Sequence, residues 1–555
     1  MSNVPLASPG SFEKDFKNLD HVEHLPSIDA ATAAAQGAET RAVKNAELYA
    51  AIQETNIPKW SKESRHLYFA VFIAFCCACA NGYDGSLMTA VLAMPHFQNT
   101  FHSGTTGSKV SVIFSLYTVG AMIGAPFAAV LSDRFGRRKG MFCGGIVIIL
   151  GMIIGVTSKH MAQFVVARFV LGIGIAIMTV AAPAYAIEIA PPHWRGRCSG
   201  FYNCGWFGGS IPAAAVTYGC NNINSNLSWQ LPLILQAFAC CIAMVGVFFI
   251  PESPRYLMAN GREEEAMDFL VKYHGTGNSN SKLVHLEIEE MRENIKLDGI
   301  DKRWWDYRPL FLTKNGRWRM AQVLMISIFG QFSGNGLGYF NTVIYNNLGI
   351  TNVSKQLGYN LLNSVVSAVG ALTAVSLTDR MYRRPVLIIG TFICACALAA
   401  NAGLSAELDK QVKARGTNVS QSLAQGALAA YFLFNIIFSF TYTPLQGVIP
   451  SEALETTMRA KGLAASGILV NAMGFINQFA GPIALGHIGY KYIYVFVGWD
   501  VVESVAWYFF CVESQGRTLE QLEWVYNQPN PVKASLKVDQ VVVEADGKVV
   551  EKVQA

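Results

Sequence analysis

Ser132-Asp133-Arg134-Phe135-Gly136-Arg137-Arg138 and Thr378-Asp379-Arg380-Met381-Tyr382-Arg383-Arg384 are two versions of one phrase, far apart in a chain of 555 residues. Each follows directly on a long apolar run, at 111–131 and at 357–378. A second echo accompanies the first: Glu188 stands seven residues before Arg195, and Glu452 seven before Arg459. Loop composition can produce one such coincidence, whereas two in the same order point to a duplicated unit. Around these phrases, apolar runs fall at 67–94, 111–131, 141–158, 162–189, 199–219 and 229–250. They resume at 319–347, 357–378, 385–404, 424–449, 463–486 and 489–511. Each is near the roughly 20 residues needed to cross the hydrocarbon of a bilayer. Composition agrees: 52% of residues are hydrophobic and 15% charged, against about a quarter charged in soluble domains. The expected fold is an all-α membrane protein of twelve transmembrane helices in two pseudo-symmetric six-helix bundles. Paired halves of this kind enclose a site near the middle of the membrane.

The polar remainder divides the chain. The expected layout is an N-terminal tail at 1–66, a first bundle at 67–250, a helical linker domain at 251–318, a second bundle at 319–511 and a C-terminal tail at 512–555. No secretory signal is visible in the polar first 66 residues, so the first span is expected to serve as its own targeting signal. With the N-terminus inside, the short inner loops carry eleven Lys and Arg, Arg134 to Lys461, against seven in the outer loops. That bias predicts both termini in the cytosol. The three Asn-x-Ser/Thr sequons, at Asn226, Asn352 and Asn418, all fall in loops assigned outside, as glycosylation would require. A net charge of +5 spread over loops gives no reason to expect nucleic acid. The twelve cysteines, among them Cys76, Cys77, Cys79, Cys240, Cys241, Cys394 and Cys396, lie mostly inside spans without metal-ligand spacing, and are expected as small buried hydrophobes. Nothing predicts a metal, a cofactor or an enzyme: no nucleophile–base set or phosphate loop is present.

Charges inside spans mark chemistry, because each is costly in hydrocarbon and needs a partner or a wet cavity. Asp84 lies in the first span within Asn81-Gly82-Tyr83-Asp84-Gly85, and Arg168 in the fourth, followed by Gly172 and Gly174 at a spacing that allows close helix contact. An Asp84–Arg168 pair would tie protonation of the carboxylate to the position of the arginine. A static ion pair, or an Asp84 in water at a helix end, are the alternatives. In the loops, Asp133, Arg134, Arg137 and Arg138 are placed to pair with Glu188 and latch an inner gate, with Arg195, Asp379, Arg380, Glu452 and Arg459 as further members. A plain topology signal would use the same charges, and single exposed pairs are weak. Amides donate and accept, which suits a hydroxyl-rich ligand. Asn203, Gln331, Asn335, Tyr339, Asn341, Asn363, Gln446 and Asn471 are the candidate contacts, alongside Asn360, Thr441, Thr443, Asn477 and Gln478; helix–helix glue is the other reading of each. Tyr83, Trp206, Phe332, Tyr339 and Phe340 could stack on a pyranose.

These motifs resemble the sugar porter family of the major facilitator superfamily over roughly residues 65–525. The resemblance rests on Asp133–Arg138, Arg168 with Gly172 and Gly174, Tyr185 to Glu188 with Pro191, Arg195 and Gly196, and Pro251-Glu252-Ser253-Pro254-Arg255-Tyr256-Leu257. It continues through Gln331 with Ser333-Gly334, Glu452 with Arg459 and Gly462, and Glu513 with Gly516-Arg517-Thr518-Leu519-Glu520. Within the family, Gly82–Met88 and Gln331–Gly336 look like the fungal lactose and cellodextrin permease branch. The resemblance implies alternating access at a plasma membrane and proton symport, with Asp84 as proton site and Arg168 as its partner. The implied partners are a sugar, a proton and the bilayer, and the chain is expected to act as a monomer. Departures from the pattern bear on the sugar. Gly336 replaces an asparagine, Gly447 stands at the tenth-span tryptophan, Tyr382 at a loop glycine, and Gln230 at an arginine. Loss of the tryptophan would enlarge a pocket, which suits a disaccharide such as lactose or cellobiose, with a hexose as the other candidate. A facilitative uniporter, a quinate or polyol carrier, or a non-transporting sugar sensor are the rival expectations.

Overall fold

The computed structural model describes residues 27–29, 39–40, 57–58, 60–192, 194–279, 281–300, 308–378, 381–415, 421–454, 459–515, 519–536, 540–543 and 549–554. Helix α1, Lys62–Val91, starts where the Ser61 hydroxyl accepts the Ser64 N–H at 3.0 Å, satisfying one of the free donors of a helix start. It is followed by α2, Ser108–Phe135, and α3, Arg137–Val156. The joint between them is Gly136 alone, at φ 100°, in the left-handed region that favours glycine. A Cβ there would also lie 2.6 Å from the Glu252 carboxylate. Helices α4, Met161–Glu188, and α5, Arg195–Cys220, come next. The sixth span is a nearly continuous rod of α6, Leu227–Leu235, and α7, Ala237–Gly246, with Gln236 between them in helical backbone geometry.

Three helices follow: α8, Pro254–Ala259, α9, Glu263–Tyr273, and α10, Lys282–Ile300. The seventh span is broken into α11, Lys314–Phe332, α12, Asn335–Gly338, and α13, Asn341–Asn347. The first break is at Ser333 and Gly334, the latter at φ 86°. After it come α14, Val353–Leu377, α15, Arg383–Arg415, α16, Gln421–Ala453, α17, Arg459–Ile488, and α18, Tyr492–Phe510, with a final α19, Leu519–Asn527. Among the described residues, nine stretches are long and apolar enough to cross a membrane, and the last of them, Lys461–Phe510, holds both α17 and α18. The more polar α5 and the broken α11–α13 complete twelve spans.

In the first half α2 and α3 pack along α4, and α1 along α5; in the second, α15 packs on α16 and α18, and α14 on α16. Backbones approach closely where small residues face each other: a Cβ on Gly172 would fall on the Tyr117 carbonyl, and one on Gly120 on that of Phe169. Large apolar side chains such as Phe127, Phe238, Phe249, Ile389 and Phe509 are exposed around the bundle, a contiguous apolar exterior that suits a lipid solvent and not water. A small sheet accompanies the helical fold, and the expectation of buried cysteines needs one correction. Outside the bundle, β1 (Ser27–Asp29), β2 (Glu39–Thr40), β3 (Gln540–Val543) and β4 (Val549–Gln554) pair in the order β1-β4-β3-β2, where the β-branched valines favour extended chain. Cys241 and Cys396 are exposed, although eight of the twelve free cysteines are buried as expected.

The halves meet through α2 with α17, and through α5 with α14 and α16. Hydrogen bonds between them gather on the side away from α8–α10. Thr89 donates to the Tyr339 carbonyl at 3.0 Å, and Thr342 donates to the Thr89 carbonyl at 3.1 Å. Thr118 meets Gln478 at 2.5 Å, Asn221 donates to Ser354 at 2.9 Å, and the Gly107 N–H reaches the Pro482 carbonyl at 3.4 Å. Phe114 adds ring contacts to Tyr339 and Phe340. The two halves are thus sealed together on that side.

Candidate functional site

Asp84 and Arg168 are fully buried, at 0% and 2% exposure, which excludes the reading of Asp84 as a helix-end carboxylate in water. Arg168 Nη1 donates to Asp84 Oδ1 at 2.5 Å, and Gln236 Nε2 donates to the same oxygen at 2.9 Å. Asp84 Oδ2 and Arg168 Nε have no hydrogen-bond partner among the described residues. The guanidinium also lies 4.6 Å from the centroid of the Tyr117 ring, a contact that stabilises a desolvated cation. Tyr117 in turn donates to Asn81 Oδ1 at 3.2 Å. Four spans therefore converge on this ion pair, and the close charge partner of the carboxylate is the arginine. In such a setting the pair is held by mutual neutralisation, and removal of either charge strands the other. Gln236 escaped the sequence reading; its signal is a lone amide within the apolar run 229–250.

In the second half, Gln331 is buried at the end of α11. Its Oε1 accepts from Asn335 at 3.3 Å, and its carbonyl accepts from Asn477 at 2.6 Å. Gln446 lies against Gly330, so α16 presents an amide to the same corner. Across the halves, a Cβ on Gly447 would sit 2.6 Å from Asn203 Nδ2. Asn203 thus occupies the space that a large side chain at 447 would claim. Tyr339 is half-buried beside the break. Asn341 and Asn471 bond elsewhere. Asn341 donates to Asn360 at 2.9 Å and accepts from Tyr431 at 2.6 Å, within one half. Asn471 donates to the Gly467 carbonyl of its own helix at 2.9 Å. Asn363 is buried with its Oδ1 unpartnered among the described residues.

The charged loops form two matching clusters on the side carrying α8–α10. Arg137 grips Glu188 through Nε at 3.0 Å and Nη2 at 3.1 Å, with Asp133 at 3.3 Å and the Ser253 hydroxyl also on Glu188. Arg383 pairs with Glu452 at 3.0 Å, and Ser514 donates to the other Glu452 oxygen at 2.6 Å. Glu513 accepts the backbone N–H groups of Arg383 and Arg384, each at 3.0 Å. The expectation that Arg134 and Arg138 also pair with Glu188 is not met. Helix α3 starts at Arg137, so Arg138 points a quarter-turn away and donates to the Val247 carbonyl at 2.9 Å, while Arg134 is exposed. Arg195 instead reaches Glu287 on α10 at 2.8 Å, where His274 contacts the same carboxylate at 2.6 Å. Burial pushes the Glu252 carboxyl up, against the pull of the Ser253 and Arg138 backbone N–H groups and the Arg138 and Arg137 charges. The ion pairs between described residues here all close within one half or onto the linker helices. Asp379, Arg380, Asn418 and the side chain of Arg459 lie outside the described residues. Asn226 and Asn352 both sit at helix starts on the opposite side, Asn352 capping the Lys355 N–H.

Twelve spans in two like halves, with an intramembrane ion pair and amides at their junction, define a membrane transporter of the major facilitator fold. Residues 69–526 match the family described as "Sugar (and other) transporter", and the chain belongs to that family. Its members are transporters and not enzymes. The chain is 28% identical to a high-affinity glucose transporter of Kluyveromyces lactis, over 84% of this chain and 86% of that one. It is likewise 28% identical to a quinate permease of Neurospora terricola, over 85% and 90%. Among solved structures, the proton:xylose symporter XylE of E. coli superposes with a TM-score of 0.68 at 20% identity, covering 84% of this chain and all of that one.

Proposed function

We propose that this protein is a proton–sugar symporter that works by alternating access, with Asp84 as the proton carrier and Arg168 as its charge partner. The observation that carries the reading is the buried 2.5 Å contact between the two, shared with Gln236. A protonated Asp84 releases Arg168, and a deprotonated one recaptures it, so proton occupancy and helix arrangement are linked. Gln331, Asn335, Gln446 and Asn203 form the sugar-facing corner. The likeness of Gly82–Met88 and Gln331–Gly336 to the fungal lactose and cellodextrin permeases supports a disaccharide cargo such as lactose or cellobiose. The Kluyveromyces relative supports a hexose as the second reading. The Neurospora relative supports quinate as a third reading. The ion-pair clusters around Glu188 and Glu452 keep each half rigid on the cytosolic face of a plasma membrane.

The test is uptake of labelled lactose, cellobiose, glucose and xylose in yeast lacking its own sugar carriers, with and without a protonophore. Accumulation of one disaccharide that the protonophore abolishes supports the proposal. Uptake that only equilibrates, indifferent to the protonophore, makes the chain a facilitator and overturns the role of Asp84. Absence of all uptake from a protein at the cell surface favours a sensor.

A further inference from the structure

Two further carboxylates lie inside the membrane bundle, and the transport reading does not use them. Asp500 and Glu503, three residues apart on α18, are both 0% exposed. Ser333 donates to Asp500 Oδ1 at 2.9 Å. Tyr442 donates to Glu503 Oε2 at 3.0 Å, and its hydroxyl is held in turn by Thr391 at 2.8 Å and Trp507 Nε1 at 3.3 Å. Asp500 Oδ2 and Glu503 Oε1 have no hydrogen-bond partner among the described residues. The titratable groups facing them are the Cys394 thiol from α15 and the Tyr442 phenol from α16. The other neighbours, Ser333 from α11 and Trp499 on α18 itself, carry no charge at any accessible pH. Among the described residues no lysine, arginine or histidine forms an ion pair with either carboxylate.

Here the second half differs from the first. Asp84 has a guanidinium against it, whereas these two acids have hydroxyls, rings and each other. Two like charges one helical turn apart, in a medium that solvates neither, repel strongly and have nothing to neutralise them. We propose that Asp500 and Glu503 form a second proton-binding site that holds at least one proton and exchanges it during the transport cycle. The bare oxygens Asp500 Oδ2 and Glu503 Oε1 are where that proton sits, as a neutral carboxylic acid. The site has a mechanical outlet. Ser333 is the residue at which α11 stops, next to Gly334 at φ 86°, and two residues from Gln331. The bond from Ser333 therefore anchors the break in the seventh span to α18. A charged Asp500 grips that hydroxyl more tightly than a neutral one, since hydrogen bonds to an ionised acceptor are roughly twice as strong. Proton occupancy on α18 thereby sets how firmly the break, and the sugar-facing amides beside it, are held. This coupling step rests on the transport reading above, while proton binding by the pair does not.

The two can be tested apart. Infrared difference spectra of the purified protein, taken between acid and alkaline buffer, report carboxylic-acid signals directly. One such signal is expected to disappear in the Asp500→Asn/Glu503→Gln double variant and to persist in Asp84→Asn. An unchanged spectrum in a folded double variant overturns the proposal. Should the double variant fail to fold, the isosteric Asp500→Asn alone is used; its expected result is a shifted or lost signal, and an unchanged one overturns the proposal. For the coupling, sugar counterflow in proteoliposomes is followed against pH. Asp500→Asn, permanently neutral, is expected to remove one inflection of the profile. Ser333→Ala is expected to remove the same inflection while keeping the infrared signal. A pH profile identical in all three proteins overturns the link to the seventh span.

Discussion

Replacing Asp84 by asparagine changes one charge and almost no volume, so its consequence can be worked from the geometry. The substituted amide can still accept from Gln236 and from Arg168 through its carbonyl oxygen. What disappears is the negative charge opposite a guanidinium whose hydrogen bond is the one to Asp84, and whose Nε is already unpartnered among the described residues. The Tyr117 ring at 4.6 Å remains, and in this desolvated setting is worth about 2 kcal/mol. Breaking a buried pair by removing one partner typically costs about 3–5 kcal/mol; with the amide and the ring retained, the lower end, about 3 kcal/mol, is expected. Removing both charges, in Asp84→Asn/Arg168→Gln, leaves no stranded ion, so most of that loss should return. The assay is a double-mutant cycle on thermal unfolding of the detergent-purified protein, with native, both single variants and the double variant side by side. The expected order is native highest, the double variant next, and both single variants lowest. All three variants should also fail to accumulate sugar. A single variant as stable as the native protein would refute the picture of Arg168 as an ion held by Asp84.

Other outcomes follow from other contacts. Gly447→Trp would drive an indole into the position of Asn203 Nδ2; uptake of a disaccharide should fall by about tenfold or more, equivalent to about 1.4 kcal/mol, while uptake of glucose survives, as competition between labelled sugars would show. Glu188→Gln removes the charge that Arg137 grips with two nitrogens in a mostly buried setting, at a cost of about 2 kcal/mol; the thermal midpoint should drop, and Glu452→Gln should lower it similarly through Arg383. Asn352→Gln should reduce a glycosidase-sensitive mass shift in protein made in yeast by one glycan, because Asn352 starts α14 on the side away from the linker helices.

How much of this was legible beforehand depended on whether the signal was local. Twelve apolar runs and a repeated Asp-Arg phrase carried the fold, since membrane insertion imposes its length and composition on each span separately. The Asp84–Arg168 pair was legible because an isolated charge in hydrocarbon demands a partner, and few candidates existed. Gln236 was not, because an amide can satisfy itself in many ways. The roles of Ser253 and Ser514 on Glu188 and Glu452 were invisible for the same reason. Asp500 and Glu503 went unremarked because they lack the opposite charge that drew attention to Asp84. The bonds of Asn341 to Asn360 and Tyr431 were not legible either, since periodicity does not say which face of a buried helix points at a cavity. The break at Ser333–Gly334 was concealed in a run that reads as one span.

Coupling itself is read from proton movement driven by sugar alone. Purified protein is placed in liposomes with a pH-sensitive dye inside, and an inward gradient of the transported sugar is imposed at zero membrane potential. If Asp84 carries the proton, the lumen acidifies as sugar enters, and Asp84→Asn admits sugar without acidification. Sugar entry with no pH change in the native protein, or acidification that persists in Asp84→Asn, would contradict that role.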